Sequence, residues 1–421
     1  MPEQKKAVTP RLRFPEFRNA GPWKVKRLGE ILREVRKERI ESDAYEVVNV
    51  KLHAKGLERT GRKPLINSKG RPYYVVREGE ILIGKQNFHN GSIALVTNEY
   101  DGFVASNAIF HLDTLRYDDK RFLVAYLARP SFYMQISDLI GGTGQKEISN
   151  QLLFALHVSI PTLPEQQKIA DCLSSLDELI ELEAKRLEAL KAHKKGLMQQ
   201  LFPREGETTP RLRFPEFRNA GPWEVKRLGE VAEIITERVA DRECTLLSVS
   251  AGVGLIPQIE KFGREIAGRQ RSNYFVVRKY DFAYNKSATK EYPQGYVGLY
   301  EGDELAAVPN SIFVCFRPNL EKIVPRYLMF LFEANVHGKW LSRFIAVGAR
   351  AHGSLNIDNQ DLLNTPIPLP PSTQDSGEQQ KIADCLSSLD ELIELEAKQL
   401  EALQTHKKGL MQQLFPQEID L

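Results

Sequence analysis

The 421-residue chain has little cysteine, and none of its four cysteines belongs to a Cys-x-x-Cys pair. Structural zinc sites and disulfide frameworks need closely spaced or paired cysteines, so neither is predicted. Cys172 and Cys385 occupy the same position of a repeated segment, on an apolar helical stripe. We expect these two to be buried thiols without a chemical role.

Long apolar stretches are also missing. No run of about eighteen apolar residues occurs, and the basic N-terminus is not followed by the apolar core of a signal peptide. A cytoplasmic location is therefore expected. The formal net charge is only +3 and 42% of the residues are hydrophobic, which is typical of a globular protein and indicates no particular partner.

Motifs for catalysis are incomplete. The loop GGTGQK lacks the Gly-Lys-Ser/Thr ending of a phosphate loop, and the Glu-x-Lys of LEAKRLEAL has no partnered aspartate. The Asn/Asp-Pro-Pro-aromatic motif of amino methyltransferases and a glycine-rich cofactor strand are both missing. His53, His89 and His352 are isolated in the sequence. We therefore expect no active site, no metal site and no cofactor bound by this chain.

What the sequence does contain is a long internal repeat. Residues 9–30 and 209–230 agree at twenty-one of twenty-two positions, and residues 165–203 recur as 378–416. The second pair differs only at Arg186/Gln399, Lys191/Gln404 and Ala192/Thr405. A period of about two hundred residues is far too long for a solenoid unit, so the repeat predicts two whole domains in tandem.

The segment that begins at Glu165 predicts a long helix. From position 173 to position 201, spacings of three and four residues mark a stripe that is apolar except at Glu183 and Lys194. This is the heptad pattern of a coiled coil, and the copy at 378–416 supplies a second identical stripe. We predict that the two helices pack against each other.

The intervening regions differ in sequence but share a plan. Short β-branched runs such as YYVVREGEILIGK and YFVVRKYDFAYNK predict strands, and RFLVAYLARPSFYM and RYLMFLFEANVHGKW predict helices. The fold class is thus α+β. Each region has a basic stretch: nine Lys or Arg against three acids in 51–90, and eight against four in 258–292. That composition suits a phosphate backbone, although a solvated surface would give the same counts.

Several motifs together resemble a known family. PRLRFPEF, VKRLGEI, EGEILIGK, GGTGQKEIS and IPTLPEQQKIADCLSSLDELIELEAKRLEALKAHKKGLMQQLF are similar to the specificity subunit of type I restriction-modification systems. The resemblance covers essentially the whole chain. It departs from the pattern where the second long helix lacks the proline before Glu-Gln-Gln.

The resemblance implies two target recognition domains separated by two helices that form an antiparallel coiled coil with pseudo-two-fold symmetry. The corresponding segments are residues 1–164 and 204–377 for the domains, and 165–203 and 378–416 for the helices. Each domain would read one half of a split site in double-stranded DNA. The helices would recruit two modification subunits that bring S-adenosylmethionine, and two restriction subunits can add ATP- and magnesium-dependent cleavage.

This arrangement explains the pattern of the repeat. Two copies of the same modification subunit need the same docking surface twice, whereas the two half-sites are free to differ. A recent duplication would explain the identical segments but not why divergence is confined to the regions between them. An adapter that clamps two copies of a protein partner, without specific DNA binding, is the alternative from a different functional class.

Donor-rich side chains in glycine-bounded loops are the candidates for contacts with DNA. In the first domain they are Lys85, Gln86, Asn87, His89, Asn90, Thr143, Gln145 and Lys146. In the second they are Lys286, Lys290, Tyr292, Gln294, Arg350 and His352.

Aromatic residues of the constant N-terminal segments form another candidate group. They are Phe14, Phe17 and Trp23, with their copies Phe214, Phe217 and Trp223. We interpret them as anchors that pack each segment on its domain or on a helix end, with docking of a modification subunit as the alternative role.

The two polar interruptions of the heptad stripe suggest a register. An antiparallel pairing that sets Glu183 against Lys407 also sets Lys194 against Glu396, so one register matches both charges. The alternative is that all four side chains point to solvent or to a partner.

Overall fold

The computed structural model describes residues 8–66, 71–116, 118–140, 146–250, 254–266, 271–345, 353–371 and 377–416. The chain forms two compact units. The first unit comprises Met1–Ala184 together with Lys398–Leu421, and the second comprises Lys185–Ala397. Each unit therefore contains one variable region and parts of both long helices.

The first variable region is a mixture of short strands and short helices. Its strands are β1 (Lys24–Arg27), β2 (Leu32–Glu34), β3 (Val48–Val50), β4 (Leu57–Arg59), β5 (Tyr73–Val75), β6 (Ile81–Gly84), β7 (Ile93–Leu95), β8 (Val104–Ser106), β9 (Ile109–Thr114) and β10 (His157–Ile160). Its helices are α1 (Lys120–Leu127), α2 (Pro130–Tyr133), α3 (Ile136–Leu139) and α4 (Asn150–Ala155).

These strands form small antiparallel sheets around several clusters of buried apolar side chains. The main sheet has the order β2-β9-β6-β7, and β1 pairs with β10 beside it. The apolar residues of β6 are buried on both faces, because α1 covers one face and the β3-β4 and β5-β8 pairs cover the other. Helix α1 begins at Asp119, whose carboxylate accepts hydrogen bonds from two N–H groups of the first turn.

The second variable region has the corresponding elements in the same order. Its strands are β11 (Glu224–Arg227), β12 (Ala232–Ile234), β13 (Thr245–Ser250), β14 (Gly254–Pro257), β15 (Phe275–Val277), β16 (Phe282–Asn285), β17 (Ser287–Ala288), β18 (Tyr296–Leu299), β19 (Ala306–Val308), β20 (Phe313–Pro318), β21 (Gly353–Ser354) and β22 (Pro366–Leu369). Its helices are α6 (Leu228–Val231), α7 (Gln258–Phe262), α8 (Pro325–Glu333), α9 (Val336–Leu341) and α10 (Asn359–Leu363).

The main sheet of the second region repeats that of the first. The main sheet has the order β12-β20-β16-β18, which matches β2-β9-β6-β7, and β11-β22 matches β1-β10. The predicted α+β plan, shared by two divergent regions, is confirmed. No helix in the described part of the chain is both long enough and apolar enough to cross a membrane.

The two constant segments at the ends of the repeats form long helices. With the numbering continued in chain order, α5 spans Leu163–Leu201, between the two regions, and α11 spans Gly377–Leu414. In the first unit, Lys407 of α11 forms an ion pair with Asp177 of α5. In the second unit, Lys194 of α5 forms an ion pair with Asp390 of α11. Positions later in one helix meet positions earlier in the other, so the predicted antiparallel pairing is confirmed in each unit.

The predicted register of the helix pair is wrong. Lys407 meets Asp177, six positions before Glu183, and Lys194 meets Asp390, six positions before Glu396. Glu183 instead accepts a hydrogen bond from Gln399 at 3.5 Å, and Glu396 pairs with Arg186 at 3.0 Å. The prediction matched the polar residues of the stripe with one another, whereas the charged residues that flank the stripe supply most of the partners.

The helical cysteines differ from expectation as well. Cys172 and Cys385 are only partly buried, whereas Cys244 and Cys315, in the variable region of the second unit, are buried. Burial raises the pKa of the Cys385 thiol, so this group stays protonated near neutral pH.

A buried ion pair connects the N-terminal constant segment to the start of a long helix in each unit. Arg13 donates two hydrogen bonds to the Glu165 carboxylate, both at 2.6 Å, and Arg213 does the same to Glu378, both at 2.7 Å. The Glu165 side chain is only 1% exposed. Such two-pronged contacts give both strength and a defined orientation.

The same constant segments also hold the opposite helix. The Leu12 N–H donates to the Gln413 carbonyl near the end of α11, and the Leu212 N–H donates to the Gln200 carbonyl near the end of α5. Each segment thus fastens the start of one long helix and the end of the other. This geometry requires an antiparallel pair.

The glutamine that follows each of these glutamates fastens the variable region. Gln166 accepts a hydrogen bond from the Asp119 N–H at the start of α1, and Gln379 accepts one from the Val324 N–H at the start of α8. The repeated Glu-Gln-Gln therefore has a structural meaning: its glutamate binds the constant segment and its first glutamine orients the helix of the variable region.

We predict that Arg13→Ala lowers the free energy of unfolding by about 3–5 kcal/mol, because it leaves the Glu165 carboxylate buried without its counter-charge. The matched control is Arg11→Ala, because Arg11 is exposed in the same segment and should change little. Thermal melting followed by circular dichroism would measure both. Equal melting temperatures for the two variants would refute the assigned role.

We also predict that Lys194→Glu destabilises the second unit by about 3 kcal/mol, because it places a third carboxylate beside Asp390 and Glu333. The additional change Asp390→Lys should recover part of the loss. The additional change Glu396→Lys should recover none of it. Rescue by Glu396→Lys in melting experiments would instead support the register predicted from the sequence.

Candidate functional site

The loop that joins β6 to β7 holds most of the candidate residues of the first unit. Phe88 is fully buried and pins the loop to the core. Gly91 has a φ of 73°, and a Cβ at this position would lie 2.8 Å from the Tyr133 ring, so the position demands glycine. The loop therefore presents its polar side chains from a rigid backbone.

The candidate side chains lie at different depths in this loop. The Lys85 ammonium lies 4.9 Å from the centre of the Phe110 ring, Asn87 is exposed, and Gln86 is half-buried. Asn90 Nδ2 contacts His89 Nε2 at 3.1 Å. Burial, followed by the positive charge of Lys146, lowers the pKa of His89, so its imidazole is neutral at pH 7.

Lys146 lies near this loop, although it is distant in sequence. Its ammonium donates to the carbonyl and the hydroxyl of Ser137 at 3.0 and 2.7 Å. The candidates Thr143 and Gln145 lie outside the described residues. The Ile148 N–H donates to the Lys85 carbonyl at 2.9 Å, so the segment that carries Lys146 lies beside the loop.

A cavity of about 560 Å³ opens beside the loop, between β6 and the β3-β4 hairpin, and we call it the hairpin cavity. Gln86 and Asn87 line it, together with three basic side chains that were not among the candidates for contacts with DNA. Those three are Lys51, His53 and Lys55. The excess of lysine and arginine in 51–90 was the available signal, but it did not distinguish these residues from others in the stretch.

The segment that carries these residues has unusual backbone conformations. His53 and Ala54 have φ values of 59° and 54°, and their N–H groups donate to the carbonyls of Asn90 and Gly91. Non-glycine residues rarely adopt such conformations, and they cluster at binding sites. The 51–55 segment and the 85–91 loop therefore form one connected surface.

The second unit presents the equivalent loop between β16 and β18. Lys290 is exposed, whereas Lys286, Tyr292 and Gln294 are half-buried. The Tyr292 ring packs against Tyr296 with ring centres 4.9 Å apart, and burial raises the pKa of its hydroxyl. The candidates Arg350 and His352 lie outside the described residues.

A buried histidine contacts the backbone of this second loop. His337 contacts the Gly295 carbonyl at 3.3 Å, and its ring packs edge-on against Tyr284. Gly295 has a φ of 82°, and a Cβ there would lie 2.4 Å from the Asn285 carbonyl. Burial lowers the pKa of His337 to about 4, partly offset by its hydrogen bond to Gly295.

We predict a pH-dependent loss of stability from His337. Its pKa is depressed in the folded chain, so the unfolded chain takes up a proton below about pH 6.5 that the folded chain does not bind until about pH 4. The stabilisation is complete above pH 6.5 and is lost as the pH falls to about 4, by up to about 3 kcal/mol.

Melting temperatures measured from pH 7 to pH 4.5 test this prediction. His337→Phe should flatten the decline, whereas His406→Gln, at an exposed position of α11, should leave it unchanged. A decline in His337→Phe as steep as in the unaltered chain would show that another group is responsible.

The aromatic residues of the constant segments lie on the framework rather than beside the loops. Trp23 is buried against Phe122 and Phe415, and its indole N–H donates to Glu165 at 3.2 Å. Its copy Trp223 is buried against Tyr327, at 6.2 Å between ring centres. The lysine one turn into each long helix lies over the ring of Phe14 or Phe214. Phe17 and Phe217 are half-buried, and a docking role for this group stays a prediction.

Comparison with known proteins places these features in a family. The family described as type I restriction modification DNA specificity domain matches residues 21–192 and again residues 221–405. Each repeat thus matches the family separately, and together the matches cover most of the chain. This chain therefore belongs to that family, which confirms the resemblance seen in its motifs.

Individual relatives agree with this assignment. The chain is 28% identical over 205 residues to the putative type I restriction enzyme MjaX specificity subunit of Methanocaldococcus jannaschii, an alignment that covers 46% of this chain and 45% of the relative. It is 25% identical over 290 residues to the MjaVIII specificity subunit of the same organism, covering 66% and 65%. The chain thus aligns with less than two thirds of either relative.

A solved structure matches over almost the full length. The S subunit of a type I restriction-modification system from M. genitalium has a TM-score of 0.58, covers 97% of this chain and 99% of its own, and is 16% identical. At that identity the match concerns the fold alone. It agrees with two α+β regions alternating with two long helices.

Proposed function

We propose that this chain is the DNA-reading subunit of a type I restriction-modification complex. Each unit reads one half of a split site in double-stranded DNA, and the constant helices and N-terminal segments hold two modification subunits. One observation carries the proposal: a nearly identical framework in each unit, held by the Arg13–Glu165 or the Arg213–Glu378 ion pair, carries two loop surfaces that differ from each other.

The loop surfaces supply the chemistry that DNA requires. Lysines neutralise phosphates and provide affinity that depends on salt, whereas amides such as Gln86 and Asn87 can form paired hydrogen bonds with the edges of bases. In the first unit both kinds of side chain line the hairpin cavity. In the second unit Lys290 and Gln294 lie in the equivalent loop.

The chemistry of modification and cleavage belongs to the partners in this proposal. S-adenosylmethionine, ATP and magnesium act on the modification and restriction subunits, and this chain binds none of them. The chain itself provides sequence selection and the spacing of the half-sites. A cytoplasmic location, where the chromosome is accessible, is part of the same proposal.

We predict that Gln86→Ala combined with Asn87→Ala changes recognition of one half-site and leaves the other intact. Lys290→Ala combined with Gln294→Ala in the second unit is the matched pair and should change the opposite half-site. Methylation mapping of DNA from cells that carry the complete system with each variant reports both half-sites and the spacer. A simultaneous change of both half-sites in either variant would contradict the assignment of one half-site to each unit.

Direct binding separates this function from the adapter alternative. The complex assembled with its modification subunits should bind its own site about a thousandfold or more tighter than unrelated duplex DNA. Lys51→Ala with Lys55→Ala should weaken binding to all sequences and reduce the salt dependence. Equal affinity for specific and unrelated DNA would leave only the adapter function.

A further inference from the structure

A second opening in the first unit adjoins the hairpin cavity at His53, which lines both. It has a volume of about 650 Å³ and lies between α1 and the antiparallel parts of α5 and α11, so we call it the α1 groove. Its wall is largely apolar, with Val124, Ala125 and Ala128 on one side and Leu173 and Met411 on the other. Its charged lining is mainly basic, with Arg121, Arg129, Lys407 and Lys408 against Asp177.

The corresponding helix of the second unit carries different side chains at two of the positions that line the groove. Phe122 of α1 and Tyr327 of α8 both pack on the tryptophan of their constant segment, which aligns the two helices. In this alignment Ala125 corresponds to Phe330 and Ala128 corresponds to Glu333. The first unit therefore has two alanines where the second unit has an aromatic ring and a carboxylate.

Phe330 and Glu333 contact the copy of a residue that lines the α1 groove. The Lys194 ammonium lies 5.0 Å from the centre of the Phe330 ring and pairs with Glu333 at 2.7 Å. By the repeat, Lys194 corresponds to Lys407. The Lys194 side chain is 8% exposed whereas that of Lys407 is 24% exposed, although each also pairs with an aspartate of the facing helix. Phe330 and Glu333 thus cover the lysine in one unit only.

The charge of the α1 groove also favours an acidic occupant. Arg129 is buried between the rings of Tyr126 and Phe415, and it donates to the carbonyls of Tyr126 and Pro416. Its remaining terminal nitrogen, Nη2, has no hydrogen-bond partner within the described residues. No carboxylate in the described ranges pairs with Arg129, so among these residues a buried positive charge borders the groove without a counter-charge.

We propose that the α1 groove binds a segment of a partner protein that presents an aromatic and an acidic side chain three residues apart on a helix. The aromatic ring would lie on Ala125 and Ala128, and the carboxylate would pair with Lys407, as Phe330 and Glu333 do with Lys194. One chain binds one such segment, because the second unit already supplies both groups itself. The site is additional to DNA reading and makes the two units unequal toward protein partners.

A peptide probe tests the proposal with the full-length chain. The probe is a fluorescent alanine- and glutamine-rich helical peptide with one phenylalanine and, three residues later, one glutamate. We expect saturable binding of one peptide per chain, and at least tenfold weaker binding when the phenylalanine is replaced by alanine or the glutamate by glutamine. Equal binding of all three peptides would overturn the proposal.

A variant of the chain in which larger side chains fill the groove provides the matched control for the peptide experiment. Ala125→Phe with Ala128→Glu reproduces the second unit and should weaken peptide binding at least tenfold. Ala128→Glu alone, which adds little volume, should weaken it in the same direction through charge repulsion. Melting temperatures confirm that the variants are folded. Undiminished peptide binding by the folded variants would overturn the proposal.

The outcome is independent of the DNA-reading function. Binding of the assembled complex to its own DNA site, measured on the same variants, should be unchanged when the groove is closed. Loss of sequence preference in the unaltered complex would refute the proposed function and leave the peptide result standing. Absence of peptide binding would refute the groove and leave the DNA result standing.

Discussion

The structure depends most on a buried arginine–glutamate pair that occurs once in each unit. Removing two charges from water is costly, and the paired hydrogen bonds of Arg13 to Glu165, or of Arg213 to Glu378, offset much of that cost. The pair therefore requires the N-terminal constant segment to meet the start of a long helix in one orientation. The antiparallel helix pair and the position of each variable region follow from that orientation.

Around this framework the two units have diverged in specific ways. Glu396 pairs with Arg186, whereas the equivalent Glu183 accepts a hydrogen bond from the amide of Gln399. Glu333 pairs with Lys194, whereas the position that corresponds to Glu333 in the first unit is Ala128, which leaves Lys407 more exposed than Lys194. Nearly identical helices thus present two different environments, because the residues that contact them come from variable regions or from the few positions where the copies differ.

The periodicity and the repeat were enough to predict the long helices, their pairing and the two α+β regions. These features depend on local patterns of apolar residues, which are readable from the sequence. The register was not predictable in this way. The expected match of Glu183 with Lys407 considered only the residues of the stripe. The acidic partners in the structure are Asp177, Asp390 and Glu333, which lie beside the stripe or in another element.

The sequence singled out the candidate loops, whose contact with DNA stays a prediction, but it did not identify the other residues that line the hairpin cavity. Glycine-bounded runs in the sequence indicated Gln86 and Asn87. His53 lines the same cavity because its backbone adopts a positive φ, which no sequence pattern predicts. The structural role of Glu-Gln-Gln could not be predicted either, because Glu165 pairs with Arg13, which lies 152 positions away in the sequence.

The sequence by itself determined the duplication, the helical stripe and the family, because each is carried by neighbouring residues. Tertiary structure alone decided which charges pair and where cavities open, because those depend on side chains that are distant in sequence and meet only after the chain has folded. Ala125 and Ala128 illustrate the difference. In the sequence they are ordinary helix residues, and they line a groove only because α1 packs beside α5 and α11.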